Sequence, residues 1–242
     1  MEIAGFLSAG LAYGRVQQIE KSLTELFGRM GESPYAFVKG FGKAERKRLQ
    51  DFKHRFTTGQ DISDLLNLLQ SVLSEFGGIE EFFIQGYDAG DENIIAALSR
   101  FCDSLLDMHA KTHDGFIRRG LRYLLARPAG GSACKRLNLF LRWMARKDDV
   151  DPGLWTSIDK SKLIVPVDVH IARLSGILGF HNSKTTSLST AAKITKSFAE
   201  IEPADPVKYD FALSRIGILD GCTGQHRSGC EFCELFKFCL QR

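Results

Sequence analysis

The chain has 242 residues, 44% hydrophobic and 25% charged, with 18 Phe, 6 Pro and 6 Cys. This is ordinary globular usage, which excludes a disordered chain, a collagen-like chain and a disulfide-stapled miniprotein. Formal net charge is only +3, so any demand for a polyanionic partner must come from how the charge is distributed.

Length allows one large domain or two small ones, with a core that needs no metal merely to fold. The start, MEIAGFLSAGLAYGRVQQIEKSL, lacks a basic leader, and its apolar stretch runs into charged amphipathic sequence. No segment approaches the roughly 18 apolar residues of a membrane span. A soluble, cytoplasmic protein with no membrane partner is the expectation.

Helical periodicity dominates in chain order. Ile3, Phe6, Leu7 and Gly10 share one face; Val16, Ile19, Leu23 and Phe27 make a second helix ending at Gly28. Ser33-Pro34 opens a short element, and Lys43 to Phe56 reads as a basic amphipathic helix. Asp61 to Phe76 carries Ile62, Leu65, Leu66, Leu69, Val72 and Leu73 and stops at Gly77-Gly78. Helices over Ile79–Gln85 and Asn93–His109 flank the turn Asp88-Ala89-Gly90-Asp91. Further helices are expected over Phe116–Ala126, after Ser132, from Asp168 to near Gly179, over Ala191–Phe198 and over Val207–Ile218. No run alternates like a strand, so the fold class is all-α. The organisation divides into an N-terminal helical region (1–110), a central region (111–220) and a cysteine segment (221–242).

Charge is segregated. From Gly115 to Lys147 there are nine basic residues, Arg118, Arg119, Arg122, Arg127, Lys135, Arg136, Arg142, Arg146 and Lys147, and no acidic one. From Asp61 to Asp107 there are ten acidic residues and a single basic one, Arg100. Either the basic stretch faces a polyanion or the two segments pack together and cancel. Within the basic stretch, Arg127-Pro128-Ala129-Gly130-Gly131-Ser132 joins two helices as a helix–hairpin–helix. Such a tight glycine turn brings backbone N–H groups close to a phosphate, although many helical hairpins carry similar turns. Asp168 follows the apolar segment Leu163–Val167 and begins a helix. It can cap that helix, or present a carboxylate to a cleft.

Cys222, Cys230, Cys233 and Cys239 are spaced C-x7-C-x2-C-x5-C. Four soft thiolates suit zinc or an iron–sulfur cluster, and the single close pair with a longer arm on each side favours a 4Fe–4S cubane over zinc. Cys102 reads as a buried small hydrophobe and Trp143 as core, while Trp155 is open between core and base stacking.

The phrase Val165-Pro166-Val167-Asp168-Val169-His170, the hairpin before it and the C-terminal cysteine loop resemble the helix–hairpin–helix DNA glycosylases. Endonuclease III and the adenine glycosylases share the cysteine loop; the eukaryotic-type 8-oxoguanine glycosylases share the phrase. Arg136–Met144 and Glu2–Leu7 are also similar to a bacterial family of unknown function related to that superfamily. The resemblance covers about Glu2–Ala9 and Arg127–Cys239, with the acidic stretch as an insertion. It implies a two-lobed helical fold with DNA in the cleft and the hairpin on phosphate, and gives Asp168 a catalytic role. It makes Lys135 the matching Schiff-base lysine when Gly131-Ser132-Ala133-Cys134-Lys135 is aligned with the turn. A register starting from Pro128 leaves no lysine there.

The same resemblance, with the basic stretch, makes Arg118, Arg122, Gly130, Gly131, Arg136 and His170 the expected DNA contacts. His170 could equally bond a nearby carbonyl. Departures from the pattern are Ala133 at the second hairpin glycine, 33 positions between Lys135 and Asp168, and an extra residue in the first cysteine arm. No glutamine matches the one that fills the hole left by a flipped base; Gly10 stands there, with Tyr13 and Arg15 nearby. A base-excision glycosylase with possible lyase activity and a non-catalytic nucleic-acid binder of the same fold are the two readings.

Overall fold

A computed structural model describes residues 1–240. Among them are twelve α-helices and one two-stranded ribbon: α1 (Glu2–Gly10), α2 (Val16–Met30), α3 (Pro34–Lys39), α4 (Lys43–Leu49), β1 (Lys53–His54), β2 (Thr57–Thr58), α5 (Gly59–Phe76), α6 (Ile79–Ile84), α7 (Ile95–Thr112), α8 (Arg119–Leu124), α9 (Lys135–Ala145), α10 (Val169–Ile177), α11 (Leu188–Ile201) and α12 (Asp210–Ile218). The all-α expectation holds. No helix among the described residues is long and apolar enough to cross a membrane.

One expected helix is broken. Lys43–Phe56 is helical only to Leu49; the chain then forms an antiparallel hairpin pairing Lys53 with Thr58 and His54 with Thr57. The break has a packing cause. Leu49 and Phe52 are both fully buried, and Gly59 comes so close that a Cβ there would lie 1.7 Å from the Leu49 carbonyl oxygen. Thr58 then caps α5, accepting from the Asp61 N–H while Asp61 accepts from the Thr58 N–H at 2.9 Å.

Helix α5 is the central post. Ile62, Leu65, Leu66, Leu69 and Val72 are fully buried, and α3, α4, α6, α7 and α8 pack around it. Helix α1 lies along α9, where Gly5 permits close approach: a Cβ there would sit 3.0 Å from Met144 Cε. Phe6 meets Phe140 edge-on at 4.9 Å, and Phe140 meets Trp155 at 5.3 Å. Trp155 is buried and its indole N–H donates to Glu2 Oε1, so it is core and not a stacking platform. A smaller assembly of α10, α11 and α12 packs beside this body.

The charge segregation is largely resolved inside the protein. Arg118 lies 3.3 Å from Asp64 and Arg127 lies 3.2 Å from Asp103, so basic and acidic segments do meet. Arg142 and Arg146 are buried in a cluster with Asp148, Asp151, Asp205 and Asp210. Asp210 is therefore a buried partner of Arg142. Burial pushes its pKa up to about 6 against the pull of Arg142.

Candidate active site and cysteine centre

A groove of about 920 Å³ opens where the α1–α2 connection, the α8–α9 hairpin and the start of α10 converge. Tyr13, Arg15, Tyr123, Lys135, Asp168 and His170 are among its walls.

The hairpin side is built by turn chemistry. Pro128–Gly130 form a single 3-10 turn, and Gly131 follows at φ +74°, a left-handed conformation that favours glycine. Ser132 bridges to Ser187, and Leu188 donates to the Gly131 carbonyl, which pins the turn to the start of α11. Cys134 sits before α9 with φ +49°, its buried thiol donating to the Ala126 carbonyl at 3.2 Å. Burial holds that thiol up at about 11, so it is not a nucleophile at neutral pH. The next residue, Lys135, starts α9 and reaches into the groove.

On the opposite wall Asp168 serves two purposes. Its Oδ1 accepts from the N–H groups of His170 and Ile171, both at 2.9 Å, capping α10. Its Oδ2 lies 3.7 Å from Lys135 Nζ, with both side chains partly exposed. Capping and cleft presentation, alternatives in the sequence, are compatible because the two oxygens divide the work. The two helix N-termini thus bring an amine and a carboxylate together across 33 positions of chain.

The other expected DNA contacts scatter. His170 lines the groove, its Nδ1 3.2 Å from an Arg173 guanidinium nitrogen, and its ring packs where Gly217 leaves room. Gly130 and Gly131 have open space around them, but their N–H groups bond the carbonyls of Arg127 and Pro128. They offer close approach, not free donors. Arg136 is spent internally: it donates to the carbonyls of Gly10 and Tyr123 and lies over the Tyr123 ring at 3.9 Å. Its side chain is half buried and lines the groove, so it ties the hairpin in place at the groove wall. Arg118 faces Asp64, and Arg122 donates to the Ile117 carbonyl; neither lines the groove.

Gly10 also lies outside the groove wall, while Tyr13 and Arg15 line it. The Tyr13 hydroxyl donates to the His54 carbonyl and meets Thr57 Oγ1 at 2.7 Å, and burial raises its pKa. The signal in the sequence was the Tyr13-Gly14-Arg15 break between two helices.

Cys222, Cys230, Cys233 and Cys239 come together around one small cavity, with His226 and Phe236 beside them. The Arg227 N–H donates to Cys230 Sγ at 3.3 Å. Four thiolates around one cavity are a donor set that suits zinc or an iron–sulfur cluster.

A second constellation was not foreseen. Asp64, His109 and His113 bring ligand atoms within 4.8 Å of one another, and Asp64 Oδ2 and both His109 ring nitrogens have no hydrogen-bond partner. Arg118 and Arg46 flank the same carboxylate at 3.3 and 3.7 Å and already supply positive charge there. Burial, then the neighbouring His113, lowers the His109 pKa.

No curated protein and no solved structure matches the chain. A family model matches residues 1–219, which takes in α1 through α12 and leaves the cysteine segment outside. The chain belongs to the family described as "Protein of unknown function (DUF2400)".

Proposed function

We propose that the protein is a DNA base-excision glycosylase with lyase activity, working through Lys135 and Asp168 at the hairpin groove. The observation that carries the proposal is the 3.7 Å approach of Lys135 Nζ to Asp168 Oδ2 in a cavity of about 920 Å³. Such a cavity is large enough for an extruded nucleotide, and base chemistry requires the nucleotide to leave the stack.

In this reading the bond from C1′ to the base nitrogen breaks, and the base departs with the electron pair and takes up a proton. Asp168, held by two backbone N–H groups, stabilises the positive charge left on the sugar. Lys135 bonds C1′ and gives up a proton, for which Asp168 is the acceptor within reach. Opening of the sugar ring then yields the Schiff base. Cys222, Cys230, Cys233 and Cys239 hold a 4Fe–4S cluster, which would order residues 222–239 and supply no step of the reaction.

Borohydride trapping on a panel of lesion duplexes tests the proposal. A covalent protein–DNA adduct that disappears in Lys135→Gln is the expected result. Binding of DNA without adduct or base release on any member of the panel would favour the non-catalytic binder. Adduct that persists in Lys135→Gln would mean that the Pro128 register is correct and another amine attacks.

A further inference from the structure

We infer that the β1–β2 hairpin, together with Arg15, forms a phosphate-binding shoulder for duplex DNA on the rim of the groove. The inference rests on the DNA reading of the groove and adds which side chains grip the backbone.

The sequence points to Gly115–Lys147 for that grip, yet most of its charge is consumed within the protein. Arg142 and Arg146 are buried, the half-buried Arg136 is engaged on the Gly10 and Tyr123 carbonyls, and Arg118 and Arg127 face Asp64 and Asp103. Arg15, Lys53 and Arg55 are different. All three are exposed, and among the described residues none forms an ion pair or a side-chain hydrogen bond. Together with Gln18 they line one open concavity of about 400 Å³. Arg15 lines both this concavity and the groove that holds Lys135 and Asp168, so the two adjoin at that side chain. Three unpaired cations on one concave rim have no counter-charge except what a ligand brings, and a phosphate backbone is the polyanion that matches a line of them.

The shoulder is held in place. His54, fully buried, directs Nδ1 to Ser22 Oγ at 2.9 Å and Nε2 to the Tyr13 carbonyl at 3.0 Å. Tyr13 reaches back to the His54 carbonyl and to Thr57, locking the hairpin to the groove wall. Arg55 at the turn has φ +55°, an uncommon conformation for a residue with a side chain, and its stem lies against Gly14. A Cβ at Gly14 would stand 3.0 Å from Arg55 Cδ. Arg55 thus holds a backbone conformation that asparagine or glycine would adopt more easily. Phe56, next along, is half exposed with its ring 5.1 Å from Tyr13 and 4.6 Å from Tyr123, and gives the shoulder an apolar edge toward the groove.

The experiment is the salt dependence of binding to a fluorescent duplex carrying an abasic-site analogue, read by anisotropy between about 50 and 200 mM salt. The combined variant Arg15→Gln, Lys53→Gln, Arg55→Asn should flatten the slope of log affinity against log salt by about 2–3, since each phosphate contact contributes about 0.9. The charge-retaining pair Arg15→Lys, Arg55→Lys should keep the wild-type slope. If the combined variant folds poorly, Lys53→Gln alone, at an exposed strand position, should lower the slope by about 0.9. Wild-type protein that binds duplex while the variants keep its slope would overturn the shoulder and leave the glycosylase reading standing. Wild-type protein that binds no duplex at all would overturn both.

Discussion

Replacing Asp168 with Asn separates what this residue does for stability from what it does for chemistry. The amide oxygen of Asn can still accept from the His170 and Ile171 N–H groups, so the cap survives in form. What is lost is the negative charge at the helix N-terminus, worth roughly 0.3–1 kcal/mol. The attraction to Lys135, a partly exposed pair 3.7 Å apart, adds at most about 1 kcal/mol. Urea unfolding should therefore register a loss of about 1 kcal/mol, within the range for weakened caps. The chemical cost is larger. Removing one preorganised group that faces charge developing in the transition state costs about 10²–10³ in rate, or roughly 2.7–4 kcal/mol. Single-turnover base release on the lesion identified by trapping should thus fall at least about 100-fold while duplex binding holds or tightens. An Asn variant that releases base at the wild-type rate, or loses rate only in proportion to lost folded protein, would reduce Asp168 to a helix cap.

Other predictions follow from the same structure. Anaerobically purified protein should be brown, and Cys230→Ser should lose colour and iron while the helical core keeps its circular dichroism; colourless protein with one equivalent of zinc would refute the cluster. Arg146→Ala should cost about 2–4 kcal/mol in urea unfolding, because buried Asp205 loses its two-oxygen partner and keeps only Lys160 at 3.7 Å, while Asp151 keeps Arg142 at 3.1 Å; a loss under about 1 kcal/mol would mean the cluster contributes little. Burial lowers the His54 pKa below 6.5, so the unfolded chain takes up a proton there before the folded one does. Its contribution is present above pH 6.5 and is lost as pH falls toward the folded value, with a ceiling of about 1.4 kcal/mol per pH unit. Wild type should therefore lose stability faster than His54→Gln between pH 6.5 and 5, and parallel curves would contradict this. The pair Arg118→Gln, Arg122→Gln should change the salt slope of DNA binding by less than the shoulder variants, since Arg118 already faces Asp64.

The helices were legible because their apolar spacing is strong and their stops are marked. Leu65, Leu66, Leu69 and Val72 recur at helical spacing and are buried as that spacing requires. The β1–β2 hairpin was not legible. Lys53-His54-Arg55-Phe56-Thr57-Thr58 continues the polar pattern of the preceding helix, and the break depends on Gly59 packing against Leu49, a contact that periodicity does not report. Only the resemblance singles out Lys135 and Asp168 together. The residues alone leave Asp168 between cap and cleft and give Lys135 no role, because their approach to 3.7 Å depends on how two helices 33 positions apart are placed. The fate of the basic stretch was not legible either. Whether an arginine meets solvent or a buried aspartate depends on residues as distant as Asp205, 59 positions from Arg146.

That same internal consumption of charge is what gives the groove its precision. Lys135 and Asp168 stand at the first turns of two separate helices, so their separation is only as well defined as the placement of α9 and α10. Helix α9 is fixed at its start by Arg136, which ties it to the Gly10 and Tyr123 carbonyls, and at its far end by Arg142 and Arg146 among four aspartates. Helix α10 is fixed against α12, where Gly217 admits the His170 ring with no room for a Cβ. Asp210, at the start of α12, is also the partner of Arg142, so one buried ion pair links the helix behind Asp168 to the helix that carries Lys135. Replacing a buried pair with apolar groups of similar volume is often neutral for stability, which makes these arginines expensive as mere glue. In the proposed reaction their geometry gives them a use: a displacement of about 1 Å between Lys135 and Asp168 would cost on the order of 10² in rate. A network that joins both helices guards against that displacement in a way that nondirectional packing does not.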